Sequence, residues 1–169
     1  MAFQGTAEGT VDIKGRVCTP AKYRAGIEGQ EHLMLWYSGD AAQPYLMLAT
    51  QAEFDRVCRR EYGRFEPALR AQVMRKLQVN SEPVELDKSC RFGLPERLAA
   101  KAGIRREERV FFIGFHTHIE IWQLDRWLAQ GEEELSDTTI QLNFAPDPAW
   151  LGGMEEQPAA QAAPAEDAS

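Results

Sequence analysis

The sequence predicts an α+β fold made of two tandem units of short strands, with flanking helices and a C-terminal tail outside the folded part. A pattern of five features occurs twice in the same order, about 75 residues apart, and apolar runs between turn signals are typical of strands. The charge also changes along the chain: residues 1–131 contain all 19 Lys and Arg and 17 Asp and Glu, a charge of +2. Residues 132–169 contain nine acids and no base, which gives −9.

Each copy of the pattern begins with a charged motif followed by a proline. An aspartate is followed four residues later by an arginine and eight residues later by a proline: Asp12, Arg16 and Pro20, then Asp87, Arg91 and Pro95. Gly15 supplies the backbone freedom that a tight turn requires, whereas Cys90 stands at that place in the second copy. Each proline suits the first position of a helix, where its missing N–H is not needed.

Each copy continues with a short helical segment, two apolar strands and an amphipathic helix. Strands are predicted at residues 33–36 and 45–48 in the first copy, and at 110–113 and 119–122 in the second. Thr50 and Glu53 have the spacing of a capping box at the start of the first helix, with Phe54, Val57, Cys58 and Tyr62 on one helical face. We therefore predict units at residues 1–54 and 82–131, joined by a helical connection at residues 55–81.

A unit of about 75 residues built from short strands has difficulty covering its own sheet, because small domains bury a smaller fraction of their surface. Two units that share their strands can cover one another. We therefore expect the two copies to form one pseudo-symmetric β-barrel with the helices at its flanks.

The last segment, residues 132–169, is predicted to be acidic and largely disordered. Residues 157–164 consist of Ala, Pro and Gln, a composition that has no core to bury. Apolar side chains within residues 138–150 leave open whether that stretch docks on the folded part.

Composition and motifs argue against several classes of protein. No apolar run reaches the roughly 20 residues of a membrane-spanning helix, and residues 1–6 have no signal-peptide character. The three scattered cysteines are typical of free thiols in a reducing cytoplasm. His116 and His118 could share a strand face, but no third ligand lies near them, so we predict no metal site. No nucleophile, base and orienting group occur together, so we predict no enzyme, no catalytic residue, no cofactor and no small-molecule substrate.

Basic residues are concentrated around the first motif. Residues 12–24 contain Lys14, Arg16, Lys22 and Arg24 against the single acid Asp12, a local charge of +3. An arginine at such a turn can bind a guanine edge or a phosphate. Alternatively, Arg16 pairs with Asp12 and only holds the turn, and the two roles can coexist. Arg91 and Asp87 pose the same alternatives, with weaker support for a DNA contact because Cys90 departs from the first motif.

These motifs resemble those of a known family. Residues 11–16 (VDIKGR), followed by Pro20 and Arg24, resemble the signature of the AbrB-like, swapped-hairpin superfamily. Two such units within about 140 residues, together with residues 84–88 and 115–122, resemble the MraZ family specifically. The resemblance covers roughly residues 1–131. It implies tandem SpoVT-AbrB domains in a cytoplasmic, nucleoid-associated transcriptional regulator that assembles into rings.

The resemblance also implies a target and a set of contact residues. Such rings bind G-rich direct repeats in promoter DNA upstream of the division and cell-wall gene cluster. The arginine of the first motif, Arg16 in this chain, is associated with binding to double-stranded DNA. We expect DNA contacts from Lys14, Arg16, Lys22, Arg24, Lys88 and Arg91, and structural roles for Asp12, Gly15, Pro20, Asp87 and Pro95. The alternative is a ring-forming protein-interaction module, antitoxin-like or a scaffold, without sequence-specific DNA binding.

Overall fold

The same order of strands and helices occurs twice along the chain. The computed structural model describes residues 3–38 and 42–136, and this part of the chain contains eight strands and five helices. The first half consists of β1 (Phe3–Thr10), β2 (Arg16–Cys18), α1 (Ala21–Ile27), β3 (His32–Ser38), β4 (Tyr45–Ala49) and α2 (Gln51–Arg64). After α3 (Pro67–Val79) come β5 (Ser81–Glu85), β6 (Arg91–Gly93), α4 (Glu96–Lys101), β7 (Arg109–His116), β8 (His118–Gln123) and α5 (Leu124–Ser136). The predicted α+β class is confirmed.

Strands of the two halves are interleaved in the main sheet. Six strands form an antiparallel sheet in the order β1-β7-β8-β4-β3-β5. Strand β1 pairs with β7 of the other half, with Phe3 opposite His116, and β5 pairs with β3, with Val84 opposite Leu33. The remaining strands, β2 and β6, pair only with each other in a short antiparallel ladder. Each half therefore contributes one strand to the far edge of the other half.

The described strands do not close into the predicted barrel. Strands β1 and β5 lie at opposite edges of the six-stranded sheet and form no ladder with each other. Each leaves the sheet through a tight turn, at residues 12–15 and 87–90, and continues into β2 or β6. The hydrogen bonding therefore forms an open sheet and a separate ladder, because the chain reverses before the two edge strands can meet.

The larger core lies between the six-stranded sheet and the β2–β6 ladder. Alternate residues of the central strands point into it, including Leu46 and Leu48 of β4 and Ile119 and Ile121 of β8, all fully buried. The ladder contributes Val17 and Phe92, each 1% exposed. The intervening residues of β3 and β4 face the other side of the sheet and pack under α2. Residues of both halves are thus required to fill one core.

Helix α2 begins with the predicted cap, although only half of the capping box forms. Thr50 Oγ1 accepts a hydrogen bond from Glu53 N at 3.3 Å, whereas the Glu53 carboxylate pairs with Arg56 at 2.7 Å rather than reaching back. Phe54 and Cys58 are buried, but Tyr62 is 48% exposed, so the apolar face stops contacting the sheet before the helix ends.

Two short helices begin one residue later than predicted, and the last helix extends beyond the predicted boundary. Pro20 and Pro95 lie at the N-cap of α1 and α4, one residue before the predicted first helical position. Their fixed φ values, −54° and −56°, suit either position, and helix ends vary by a residue. Helix α5 runs to Ser136, inside the segment predicted as a tail. The predicted disorder of the remaining tail and any docking of residues 138–150 lie outside the described residues.

The two tight turns adopt the same left-handed backbone at their fourth residue. Gly15 has φ 76° and Cys90 has φ 57°. Glycine adopts this region without steric cost, whereas a residue with a Cβ loses about 1 kcal/mol. The second turn is therefore strained at Cys90.

We expect Cys90→Gly to relieve this strain and to raise the free energy of unfolding by up to about 1 kcal/mol, less the added entropy of the unfolded chain. For a chain of this size the melting temperature should rise by about 2–4 °C. Thermal unfolding of Cys90→Gly beside Cys90→Ala provides the measurement, because alanine removes the thiol and keeps the Cβ. A lower midpoint in both variants would mean that contacts of the thiol outweigh the strain.

Candidate nucleic-acid interface

The first turn is held by one carboxylate. Asp12 Oδ1 accepts hydrogen bonds from Lys14 N at 2.9 Å and Arg16 N at 2.8 Å, while Oδ2 accepts from Arg16 Nε at 2.9 Å. Gly15 N donates to the backbone oxygen of Asp12 and closes the turn. Asp12 and Arg16 therefore form the ion pair that was one of the two predicted alternatives. This bond uses only Nε of the guanidinium, and the Arg16 side chain remains 36% exposed.

The second turn has the same geometry. Asp87 accepts from Ser89 N at 2.8 Å, Arg91 N at 3.0 Å and Arg91 Nε at 2.8 Å, and Cys90 N donates to the backbone oxygen of Asp87. The Arg91 side chain is 42% exposed. The weaker expectation for Arg91 rested on Cys90, and the structure removes that reason because cysteine adopts the glycine-like conformation.

The hydrogen bonds keep both aspartates charged. The backbone N–H of Arg16 holds the pKa of Asp12 below its ordinary value, against a smaller opposing effect of burial, and the Arg16 side chain lowers it further. The backbone N–H and side chain of Arg91 act on the pKa of Asp87 in the same way. Each carboxylate is thus ionised at neutral pH and can orient its arginine.

The β2–β6 ladder brings the two arginines onto one surface. Arg16 lies opposite Gly93 and Arg91 lies opposite Cys18, two residues along the ladder and about 7 Å away in the strand direction. Because the alternate residues Val17 and Phe92 are buried below, both arginines lie on the outer face. Residues 75 positions apart in sequence therefore present two guanidinium groups from one two-stranded ribbon.

The other predicted basic residues are divided among three places. Arg24 lies beside the ladder, where its Nε donates to Thr19 O at 3.2 Å. Lys14 and Lys88 are exposed near the tips of the two turns. Lys22 is directed away from the ladder, because its Nζ donates to the backbone oxygen of Thr6 on β1. The structure therefore places Arg16, Arg91 and Arg24 at the ladder, Lys14 and Lys88 on the turns at its two ends, and Lys22 away from the other five.

Sequence reasoning missed a basic side chain beside the first turn. A methyl group placed on Gly15 would lie 3.7 Å from Nε of Arg106, a residue of the loop between α4 and β7. The adjacent pair Arg105 and Arg106 was visible in the sequence, but nothing local connected it with a turn 90 residues earlier.

Histidines and cysteines were the other candidates for chemistry. His116 and His118 lie on either side of a one-residue turn, and the His118 ring stacks on Phe115 with centroids 5.5 Å apart. Within residues 3–38 and 42–136, no three His, Cys, Asp or Glu side chains are grouped to hold a metal ion.

Burial raises the pKa of the Cys58 thiol, which opposes formation of a nucleophilic thiolate. In the same part of the chain no helix is long and apolar enough to span a membrane.

A family sequence model and several named relatives match this chain. A family sequence model described as "MraZ protein, putative antitoxin-like" matches residues 79–143. The protein called transcriptional regulator MraZ from Actinobacillus pleuropneumoniae serotype 5b is 30% identical over 136 residues, which cover 79% of this chain and 88% of the relative. The proteins of that name from Thermomicrobium roseum and Pseudomonas savastanoi pv. phaseolicola are also 30% identical, with 77% and 79% of this chain covered and 87% and 88% of theirs.

Among solved structures, the solution structure of a Pyrococcus horikoshii protein matches 69% of this chain and 96% of its own. Its sequence is 15% identical and the TM-score is 0.35, a level from which no shared fold follows.

Burial of the His118 side chain makes the free energy of unfolding depend on pH. Burial in the first place, and the Arg60 charge in the second, lower the pKa of His118 to about 4 from its ordinary 6.5. Between these two values the unfolded chain binds a proton that the folded protein does not. The free energy of unfolding should therefore fall as pH is lowered from about 6.5 towards 4, by at most about 1.4 kcal/mol per pH unit from this group.

We expect His118→Gln to reduce that slope, measured by urea unfolding at several pH values between 7 and 4.5. His32→Gln, which changes an exposed histidine on β3, is the matched control and should leave the slope near that of the wild type. Equal slopes in the wild type and His118→Gln would contradict the assignment.

Proposed function

This chain belongs to the MraZ family, and we propose that it regulates transcription by sequence-specific binding to double-stranded DNA through the β2–β6 ladder. The observation that carries the proposal is the pair Arg16 and Arg91, which lie on the outer face of one two-stranded ribbon, each oriented by an aspartate. The major groove of B-DNA admits a two-stranded ribbon of this kind. The family is one of transcriptional regulators rather than enzymes, in agreement with the absence of a catalytic motif from the sequence.

The chemistry of the two arginines favours guanine. In each ion pair the aspartate binds Nε, and among the described residues no carboxylate pairs with the terminal nitrogens of Arg16 or Arg91. Those nitrogens can donate to O6 and N7 of one guanine, the commonest specific contact of arginine with DNA. Arg24, Lys14 and Lys88 supply positive charge nearby for phosphates. This arrangement supports a G-rich target. We propose that the target is G-rich direct repeats in the promoter of the division and cell-wall gene cluster, and that the protein acts in the cytoplasm at the nucleoid.

We propose further that the two halves are swapped-hairpin SpoVT-AbrB units, with residues 1–54 and 82–131 as the units and residues 55–81 as the connection. The exchange of β1 and β5 between the halves supports this division. The core shared by the sheet and the ladder supports an arrangement in which neither unit is complete alone.

A repeated DNA target favours a protein that presents several ladders at once. We propose that the chain forms a homo-oligomeric ring, since linked units bind adjacent repeats at a high effective concentration. The surface that supports self-association lies around the junction of α2 and α3, where Tyr62, Phe65 and Leu69 are 48%, 37% and 47% exposed. Helix α3 contains no buried residue, and a groove of about 1090 Å³ is lined by α3, the second half of α2 and residues of the sheet.

The same apolar surface also favours a second candidate function, a ring-forming protein-interaction module that does not read DNA sequence. The antitoxin-like description of the matched family is consistent with a protein partner. The two candidates differ in whether the ladder arginines discriminate between DNA sequences.

Substitution of Arg16 tests the DNA-binding proposal. We expect Arg16→Ala to abolish preference for G-rich repeat DNA over a scrambled duplex while the fold and oligomer persist, because alanine cannot donate to the guanine edge. Mobility shift and fluorescence anisotropy at matched salt provide the measurement. Wild-type binding should weaken with salt, with a slope of log K against log [salt] of about −0.9 for each phosphate contact.

Two control variants separate the readout of DNA from the support of the turn. Asp12→Asn weakens the same ion pair but keeps the Arg16 side chain, so it should retain part of the sequence preference. Arg56→Ala removes an exposed arginine from α2 and should bind like the wild type. Wild-type binding and preference in Arg16→Ala at matched salt would assign Arg16 to the turn alone. A wild-type protein without sequence preference would favour the interaction module.

Substitution on α3 tests the oligomer. Leu69→Glu should convert the ring into smaller species in native mass spectrometry, because it buries a charge in the proposed interface. Ala71→Glu adds the same charge on the opposite side of α3 and should preserve the wild-type mass. Retention of the full assembly by Leu69→Glu would exclude this surface as the interface.

A further inference from the structure

A basic groove lies beside the first turn. Its volume is about 840 Å³, and its walls are the first turn, the start of α4, the loop between α4 and β7, and the start of α5. Four basic residues line it: Lys14, Arg105, Arg106 and Arg126. Of these, only Lys14 belongs to the two Asp–Arg motifs and their turns.

The loop that carries two of the arginines is fastened to the strand entering the turn. Val11 N donates to Glu108 O at 2.9 Å, and Glu107 N donates to Val11 O at 2.8 Å. Glu107 has φ 64°, a strained conformation for a residue with a Cβ, and these hydrogen bonds hold the loop on either side of it. Arg106 is consequently kept against Gly15.

Basic side chains outnumber acidic ones in the groove. Two acids, Glu96 and Glu108, also line it, but the Glu108 carboxylate accepts a hydrogen bond from Arg105 N at 2.9 Å and is thus occupied by its own loop. Within residues 3–38 and 42–136, none of the four basic side chains forms an ion pair with a carboxylate. Three guanidinium groups and one ammonium group, which can only donate hydrogen bonds, therefore face a solvent-filled groove.

The second turn has a different neighbour. Leu86 N donates to Glu31 O at 3.3 Å, in the way that Val11 N donates to Glu108 O, so the loop between α1 and β3 occupies the equivalent position. That loop, residues 28–31, contains two glutamates and no base. The two turns therefore have equal backbones but different charged neighbours, Arg105 and Arg106 beside the first turn and the acidic loop with Arg24 beside the second.

We infer that this groove binds the phosphodiester backbone of DNA next to the bases contacted from the first turn. The inference rests on the proposed function and adds a phosphate contact beside the first turn, made by arginines that lie outside the two Asp–Arg motifs. A symmetric ribbon would bind a site equally well in either direction. A phosphate groove on one side sets the direction of the protein on its site, which suits repeats that all point the same way.

The test uses the full chain with both loop arginines changed to glutamine. Arg105→Gln/Arg106→Gln should weaken binding to repeat DNA and to scrambled DNA by the same factor, because phosphate contacts carry no sequence information. The salt slope should become shallower by about 0.9 for each phosphate that the variant no longer binds. Arg97→Gln/Lys101→Gln removes the same charge from α4 near β5 and should keep the wild-type slope.

The outcomes separate this inference from the proposed function. If the wild type prefers repeat DNA and the loop variant binds with unchanged affinity and slope, the groove inference is wrong and the DNA-binding proposal stands. If both double variants lose affinity equally, only general charge is involved and the inference is also wrong. Titration calorimetry with inorganic phosphate at constant ionic strength tests whether the groove binds a free phosphate ion rather than DNA. Saturable phosphate binding that disappears in the loop variant, with DNA affinity unchanged, would assign the groove to a free anion instead.

Discussion

Two aspartate carboxylates determine how the chain of this protein turns back at the edges of its main sheet. Asp12 and Asp87 each accept two backbone N–H groups and the Nε of an arginine, and ionised acceptors make stronger hydrogen bonds than neutral ones. These bonds fix the turns after β1 and β5. Strands β2 and β6 then leave the sheet and meet each other, so the position of the ladder depends on this one interaction made twice.

The exchange of strands couples the two halves into one folding unit. Strand β1 completes the sheet of the second half, β5 completes that of the first, and the ladder residues Val17 and Phe92 cover the core that results. A change that loosens one turn therefore affects packing in both halves. The same coupling explains why two arginines that are distant in sequence share one outer face.

The sequence predicted some residues of the site more accurately than others. The spacing of aspartate and arginine predicted both turns and gave their ion pairs as one of two alternatives, because the partners are four residues apart and the turn chemistry is local. Lys22 was grouped with Arg16 by proximity in sequence, but α1 directs it to β1. Arg106 was missed for the opposite reason, since only the pairing of Val11 with the loop before β7 brings it to the first turn.

Patterns in consecutive residues were enough to predict the α+β class, the order of strands and helices, the cap at Thr50 and the tight turn at Gly15. Each of these follows from hydrogen bonds and steric limits that act within a few residues. Three features could be seen only in the folded chain. They are the open sheet with its separate ladder, the common face of Arg16 and Arg91, and the difference between the surroundings of the two turns. They depend on which distant strands pair and which loops the shared core holds against each turn, and such long-range contacts leave no periodic trace in the sequence.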